Sequence, residues 1–335
     1  MPKACSRINV SGTKLLDFLG SYMIMKVIKK YFKVIKGAFN AFIEDNCVKL
    51  SAALSYYTIF SIGPLLVIVL SLSGVFFGME AVQGKLYNQM SGLIGADAAL
   101  QVQQIIKNIQ ASKKGTVGAI IGGIVLIIGA TGIFTEIQDS INFIWSLKAK
   151  PKRGFVRLLF NRLLSFSLII SLGFLLVVSL VINTLMDLLN ERLTRLFPDT
   201  TVYLFYGLNL GLLLLTISLL FAVIFKVLPD GKIKWKDAFI GATFTAVLFI
   251  LGKSAIGYYL GNSSLGTTYG TAAAIIIILT WVYYTSIILY FGAEFTKIYA
   301  LEYGGGIVPD KTAVFIIKQE AREIIMPKRT PTKKE

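Results

Sequence analysis

The sequence predicts an all-α membrane protein, a bundle of six transmembrane helices with an amphipathic helix before them. Hydrophobic residues make up 55% of the 335 positions and charged residues 16%, whereas soluble domains carry about 25% charged residues. The stretch Leu50–Gly78 contains no charged residue. As a helix rising about 1.5 Å per residue it would extend roughly 43 Å, more than the ~30 Å hydrocarbon core of a bilayer.

Five further apolar stretches are each long enough to cross a bilayer. They are Val117–Trp145, Leu158–Met186, Tyr203–Leu228, Ala238–Leu260 and Thr271–Tyr299. An even number of spans places both termini on one side of the membrane. Lys and Arg are concentrated before the first span, in the second and fourth loops and in the C-terminal tail. The positive-inside rule therefore predicts that both termini are cytoplasmic.

The segments outside the spans divide the chain further. Residues 1–21 form an N-terminal cytoplasmic segment, residues 22–46 an amphipathic interfacial helix, residues 47–303 the transmembrane domain, and residues 304–335 a basic cytoplasmic tail. An external helical loop is expected at about 79–115. The interfacial helix is predicted because apolar residues recur at helical spacing opposite a row of lysines. The apolar residues are Ile24, Ile28, Tyr31, Ile35, Phe39 and Phe42.

Composition narrows the function classes. The net charge of +16 could suit a nucleic-acid binder, but in a membrane protein it indicates basic loops against anionic lipid headgroups. Histidine is absent, and Cys5 and Cys47 both precede the first span. We therefore predict membrane lipids and an unidentified substrate as partners, with no nucleic acid, no cofactor, no metal site and no enzymatic activity. Homo-oligomerisation is compatible with the sequence.

Polar side chains inside the spans are the candidate functional residues, because ionisable groups in a bilayer usually face a protein interior or a water-filled cavity. Glu136 and Asp139 share one helix side near the end of the second span, and the third span brings basic residues to a similar depth. An ion-pair network that closes the bundle is one interpretation; a polar vestibule for an anionic substrate is the other. The candidate pathway residues are Glu136, Asp139, Arg157, Asn161, Arg162, Lys253, Tyr283 and Glu294.

Helix-breaking and small residues form a second set of candidates. Gly63 precedes Pro64, which cannot donate a backbone hydrogen bond and should kink the first span. Gly118 and Gly122 reduce the side-chain bulk of the second span, and Gly257 and Gly252 reduce that of the fifth. Close helix packing explains such glycines by default. A hinge at a transport site is the alternative.

Three motifs, in this order, resemble a known family. LSAALSYYTIFSIGPLLVIVLSLSG at 50–74, KVLPDGKIKWKDAFIGATFTAVLFILGKSAIGYYL at 226–260 and YGTAAAIIIILTWVYYTSIILYFGAEFTKIYA at 269–300 are similar to the motifs of the BrkB/YihY family of bacterial inner-membrane proteins. The resemblance implies six spans and an inner-membrane location. It singles out Tyr56, Tyr57, Pro64, Pro229, Trp235, Lys253, Tyr269, Gly270, Trp281, Tyr283, Tyr284 and Glu294.

The family resemblance leaves the function open between two classes. Members are associated with virulence-related serum resistance and with suggested export of lipids or small anions. This implies a transporter, exporter or lipid translocator for an anionic or amphipathic substrate. A non-transporting envelope scaffold or lipid-organising protein is the alternative. Some members carry the label ribonuclease BN, but this chain offers neither histidine nor a carboxylate cluster in a soluble domain for nuclease chemistry.

Overall fold

The computed structural model describes residues 12–60, 99–100, 103–104, 132–150, 198–261, 273–311 and 313–317. These residues are mainly helical, which confirms the predicted fold class at that level. The helices are α1 (Gly12–Glu44), α2 (47–60), α3 (132–144), α4 (Pro198–Val227), α5 (Trp235–Gly261) and α6 (Ala273–Glu302). The strands are β1 (Leu147–Ala149), β2 (Gly231–Lys232), β3 (Val308–Pro309) and β4 (Ala313–Phe315).

Three of the described helices are long and apolar enough to cross a membrane: Gly207–Val227 of α4, Trp235–Leu260 of α5 and Ile275–Glu302 of α6. They coincide with the last three predicted spans. Only 28%, 39% and 33% of their most apolar windows are buried within the protein. Apolar helices that leave most of their surface uncovered are expected to contact lipid rather than water.

The first three predicted spans fall partly or wholly outside the described residues. The described part of the first is 50–60 and that of the second is 132–145, which is helical to residue 144. The third, Leu158–Met186, lies entirely outside, as do most of the external loop at 79–115 and the kink residues Gly63 and Pro64. Six spans therefore remain a prediction.

Helices α5 and α6 are held together by a reciprocal contact between glycine and threonine. A Cβ on Gly241 would lie 2.8 Å from Cβ of Thr296, and a Cβ on Gly292 would lie 2.9 Å from Cβ of Thr245. The Thr245 hydroxyl donates to the carbonyl of Gly241, and the Thr296 hydroxyl donates to the carbonyl of Gly292, both at 2.7 Å. Each helix thus offers a Gly-x-x-x-Thr step to the other, and the small residues allow a close approach of the backbones.

Helix α1 packs against the last turns of α6. Val34 and Ala38 of α1 are fully buried and form a core cluster with Phe295 and Tyr299 of α6. This helix begins at Gly12, before the predicted start at residue 22, and it ends at Glu44. The predicted single apolar face is divided in the structure, because Tyr31 and Phe42 pack against the bundle whereas Ile28, Ile35 and Phe39 are exposed.

A tight turn joins α1 to α2. Asn46 has a φ of 51°, in the left-handed region that Asn tolerates better than most residues. Its amide donates to the carbonyl of Ile43, and its carbonyl accepts from the amides of Lys49 and Leu50. Asn46 therefore both ends α1 and starts α2, and this places Asp45 and Cys47 beside the bundle.

Two short antiparallel sheets tie the C-terminal segment to earlier loops. Strand β4 pairs with β1, with Lys148 opposite Val314, and β3 pairs with β2, with Lys232 opposite Val308. Helix α6 ends before a glycine run in which the Gly306 amide donates to the carbonyl of Ala300, with a φ of 75° at Gly306. The start of the predicted tail is thus folded onto the loops. Strands of two or three residues give no recognisable sequence pattern from which this pairing could be predicted.

We predict that Gly241→Ala destabilises the protein by about 1–3 kcal/mol, because the added methyl group overpacks the contact with Thr296. Gly257→Ala on the same helix is the matched control, since a Cβ there meets no atom of the described residues within 4 Å. Alanine also favours helix by up to about 1 kcal/mol over glycine. Thermal unfolding in detergent should give a lower Tm for the first variant only, and equal Tm values would contradict the packing account.

Candidate functional site

A charged cluster lies where the α1–α2 turn meets α6. We call Asp45, Cys47, Glu294 and Lys297 the Glu294 cluster. The Lys297 ammonium lies 3.0 Å from Oε2 of Glu294 and 3.3 Å from Oδ2 of Asp45. The Cys47 thiol donates to Oε1 of Glu294 across 3.9 Å. One ammonium therefore bridges two carboxylates from different elements.

The cluster is withdrawn from solvent. The Glu294 side chain has 0% exposure, and those of Asp45 and Lys297 have 9% and 15%. Removing charges from water is costly unless they are paired. The bridge therefore offsets part of the buried negative charge and fastens α1 and α2 to α6.

A second polar group lies one helical turn from Glu294. The Tyr290 side chain is fully buried, and its hydroxyl forms no hydrogen bond among the described residues. Its polar neighbours are Ser140 and Glu136 of α3 and Cys47 of α2; it faces Ser140 without hydrogen-bond geometry. Ser140 instead donates to Oε1 of Glu136 at 3.3 Å. Polar side chains from α2, α3 and α6 thus meet in the interior.

Helix α3 is also fixed to the loop after α4. The side-chain amide of Asn142 donates to Oδ2 of Asp230 at 3.0 Å and its oxygen accepts from the Asp230 backbone at 2.8 Å. Gln138 donates to Oδ1 of the same carboxylate at 3.3 Å. The Trp145 indole donates to the carbonyl of Ala293 at 3.2 Å. These contacts hold Ser140 and Glu136 beside Tyr290.

The predicted pathway residues separate in the structure. Glu136 lies near Tyr290, which precedes the buried Glu294 by one turn of α6, whereas Asp139 is exposed. Tyr283 is half-buried in the N-terminal half of α6, and Lys253 is half-buried in the C-terminal half of α5. Arg157, Asn161 and Arg162 lie outside the described residues.

The contacts of two other residues that the sequence analysis singled out are described. Lys226 donates to the carbonyl of Ile233 and lies 5.7 Å from the ring centroid of Trp235. Among the described residues, no atom lies within 4 Å of a Cβ built on Gly257, whereas a Cβ built on Gly252 of the same helix would meet Tyr284. Gly118 and Gly122 fall outside the described residues.

Sequence reasoning did not identify Asp45, Cys47 or Tyr290 as parts of the site. Tyr290 precedes Glu294 by four residues, which places them on one helix face, and that spacing was the available signal. Asp45 and Cys47 are 249 and 247 residues from Glu294 in the chain, and no spacing rule could pair them.

Two ion pairs outside the spans show displaced pKa values. A hydrogen bond to Glu302, with its negative charge, raises the pKa of Lys33 on α1. Hydrogen bonds from Lys232 and the Lys311 backbone lower the pKa of Asp310. Since the folded-state value for Asp310 is the lower one, this contact stabilises the protein above the unfolded-state pKa. That contribution is lost as the pH falls through the folded-state value.

The apolar helices and the buried ion-pair cluster together define a helical membrane protein. The model of the family "Virulence factor BrkB" matches residues 38–314, and the chain belongs to that family. No solved structure matches the chain.

Relatives with the name "UPF0761 membrane protein" occur in several bacteria. The chain is 29% identical to one from Saccharophagus degradans over 77% of its own length and 58% of the relative's. It is 26% identical to one from Alcanivorax borkumensis over 81% of its own length and 60% of the relative's. It is 29% identical to one from Vibrio campbellii over 72% of its own length and 74% of the relative's. The chain thus spans about three fifths of the length of the first two relatives.

We predict that Lys297→Met strongly destabilises the protein, because it leaves two carboxylates without their shared ammonium; breaking a buried pair costs about 3–5 kcal/mol. Lys33→Met is the matched control, since its ion pair with Glu302 also joins α1 to α6 but the Lys33 side chain is 67% exposed. Tm values in detergent should fall markedly for the first variant and little for the second. Similar small shifts would show that the bridge has no structural role.

Proposed function

We propose that this protein translocates an anionic amphipathic substrate of the lipid class across the bacterial inner membrane, with both termini in the cytoplasm and six spans. The observation that carries the proposal is the surface of α1. This helix combines an exposed apolar stripe, a row of exposed lysines and a face bound to the last span. No chemical transformation of the substrate is part of the proposal.

The exposed stripe of α1 has helical periodicity. Its members are separated by three or four residues and all are exposed: Met25, Ile28, Phe32, Ile35, Phe39 and Ile43. Lys26, Lys29, Lys33 and Lys36 are exposed along one edge of this stripe. A helix of this kind lies in the interface with apolar side chains among acyl chains and lysines at anionic headgroups.

The docked face of α1 connects this surface to the bundle. Lys30 donates to the Tyr299 hydroxyl at 3.2 Å and lies 4.5 Å from the ring centroid of Tyr303. At the other end of the docked face, Asp45 is held by Lys297. A substrate headgroup collected at the lysines would therefore lie beside the last span and the Glu294 cluster.

A lipid-organising scaffold that moves no substrate is the second candidate. It is favoured by the internal pairing of polar groups, including the Lys297 bridge and the Asn142–Asp230 contact. Such a protein would bind anionic lipid through α1 as the translocator does. The two candidates differ in whether lipid crosses the bilayer.

We predict that the purified protein, reconstituted into liposomes, accelerates the movement of a fluorescent anionic phospholipid between leaflets. The measurement is the fraction of fluorescence that dithionite quenches from outside, followed over time. If the rates equal those of protein-free vesicles while lipid binding is retained, the translocator proposal is wrong and the scaffold is favoured.

The combined change Lys26→Gln, Lys29→Gln and Lys36→Gln should slow this movement on the order of a hundredfold, since each lysine near an anionic surface contributes about 1 kcal/mol and every 1.4 kcal/mol is tenfold. The charge-matched control is Lys148→Gln, Lys236→Gln and Lys311→Gln. These three lysines are exposed but lie outside α1. Equal slowing by both sets would assign the effect to overall charge and contradict a specific role for α1.

A further inference from the structure

We infer that Glu294 is a proton-binding site inside the bundle, with Lys297, Asp45 and Cys47 as its immediate neighbours. The inference goes beyond the proposed function, which requires no particular ion. The bound species is a proton that the Glu294 carboxyl takes up and releases, so no covalent bond of the chain is made or broken other than the O–H bond.

The first argument is the weak set of donors around a fully buried carboxyl group. Among the described residues, Glu294 receives hydrogen bonds from the Lys297 ammonium at Oε2 and from the Cys47 thiol at Oε1. A thiol is a weak donor, and the ammonium is shared with Asp45. An ionised carboxylate without water is stable when several strong donors surround it. The Asp45 carboxyl group is a further neighbour of Glu294, and a proton on Glu294 relieves the repulsion between the two carboxylates.

The second argument is the unpartnered hydroxyl of Tyr290. This group is fully buried and lies on the same face of α6 as Glu294, one turn away. Cys47 is a neighbour of both side chains. Buried hydroxyl groups are normally hydrogen-bonded, and the Tyr290 hydroxyl, which faces Ser140, is the next polar group along a proton relay from Glu294.

Among the described residues, the charged and titratable groups near Glu294 are Asp45 from the α1–α2 turn, Cys47 from α2, and Tyr290 and Lys297 from α6 itself. Glu136 of α3 lies beyond them, near Tyr290. When Glu294 is ionised, Lys297 is divided between two carboxylates. When Glu294 is protonated, Lys297 is attracted mainly by Asp45. Proton occupancy therefore changes how strongly α6 holds the turn that ends α1.

The test is infrared difference spectroscopy of the protein in lipid across a pH titration. The wild type should show the carbonyl band of a protonated carboxylic acid that titrates, and Glu294→Gln should lack that band. Asp310→Asn, which removes an exposed carboxylate, is the control and should retain it. Absence of the band in the wild type, or its persistence in Glu294→Gln, overturns the proposal in favour of a permanently ionised structural cluster.

Two further variants keep the test decisive. Glu294→Asp preserves a carboxyl group and should give a displaced titrating band even if the glutamine variant does not fold. Tyr290→Phe removes only the hydroxyl and should slow hydrogen–deuterium exchange of the Glu294 carboxyl; unchanged exchange would overturn the relay. None of these readouts measures transport, so failure of the translocator proposal and failure of the proton site are distinguishable.

Discussion

The close approach of α5 and α6 is the constraint on which the other contacts depend. Gly241 and Gly292 leave room for Thr296 and Thr245, and this reciprocal fit sets the position of α6. The same helix then receives the Trp145 indole at the carbonyl of Ala293 and the side chains of α1 at Phe295 and Tyr299. Because a bilayer provides little hydrophobic drive for helix association, steric fit of this kind has to supply it.

Much of the scaffold was predictable, because an apolar run long enough to cross a bilayer is a strong signal. The last three spans agree with α4, α5 and α6 to within a few residues at most ends. The site was less predictable. Depth along the chain placed Glu136, Asp139, Glu294 and Lys226 at one level; in the structure Asp139 is exposed and the Lys226 ammonium donates to the carbonyl of Ile233. The position of a residue along its span fixes its depth in the membrane. The side of the helix that faces the interior depends on the neighbouring helices, which periodicity alone does not specify.

The amphipathic pattern of α1 shows a related limit. A single apolar face was expected, yet Val34 and Ala38 bury one side against α6 while Phe32 and Phe39 remain exposed on another. Hydrophobic spacing does not distinguish a side chain that contacts protein from one that contacts lipid, since both environments favour the same residues. The division of the apolar residues of α1 between two sides is defined only by the position of α6. One side of α1 contacts protein and the other is exposed.

The pairing of β1 with β4 and of β2 with β3 has a consequence for the order of assembly. Chains are synthesised from the N-terminus, and early segments fold before later ones exist. Strands β1 and β2 follow α3 and α4, but their partners begin only at Val308, after α6. The edges of the loops at 147–149 and 231–232 therefore stay unpaired until α6 has been synthesised. Closure of both sheets requires that α3, α4, α5 and α6 have already been made.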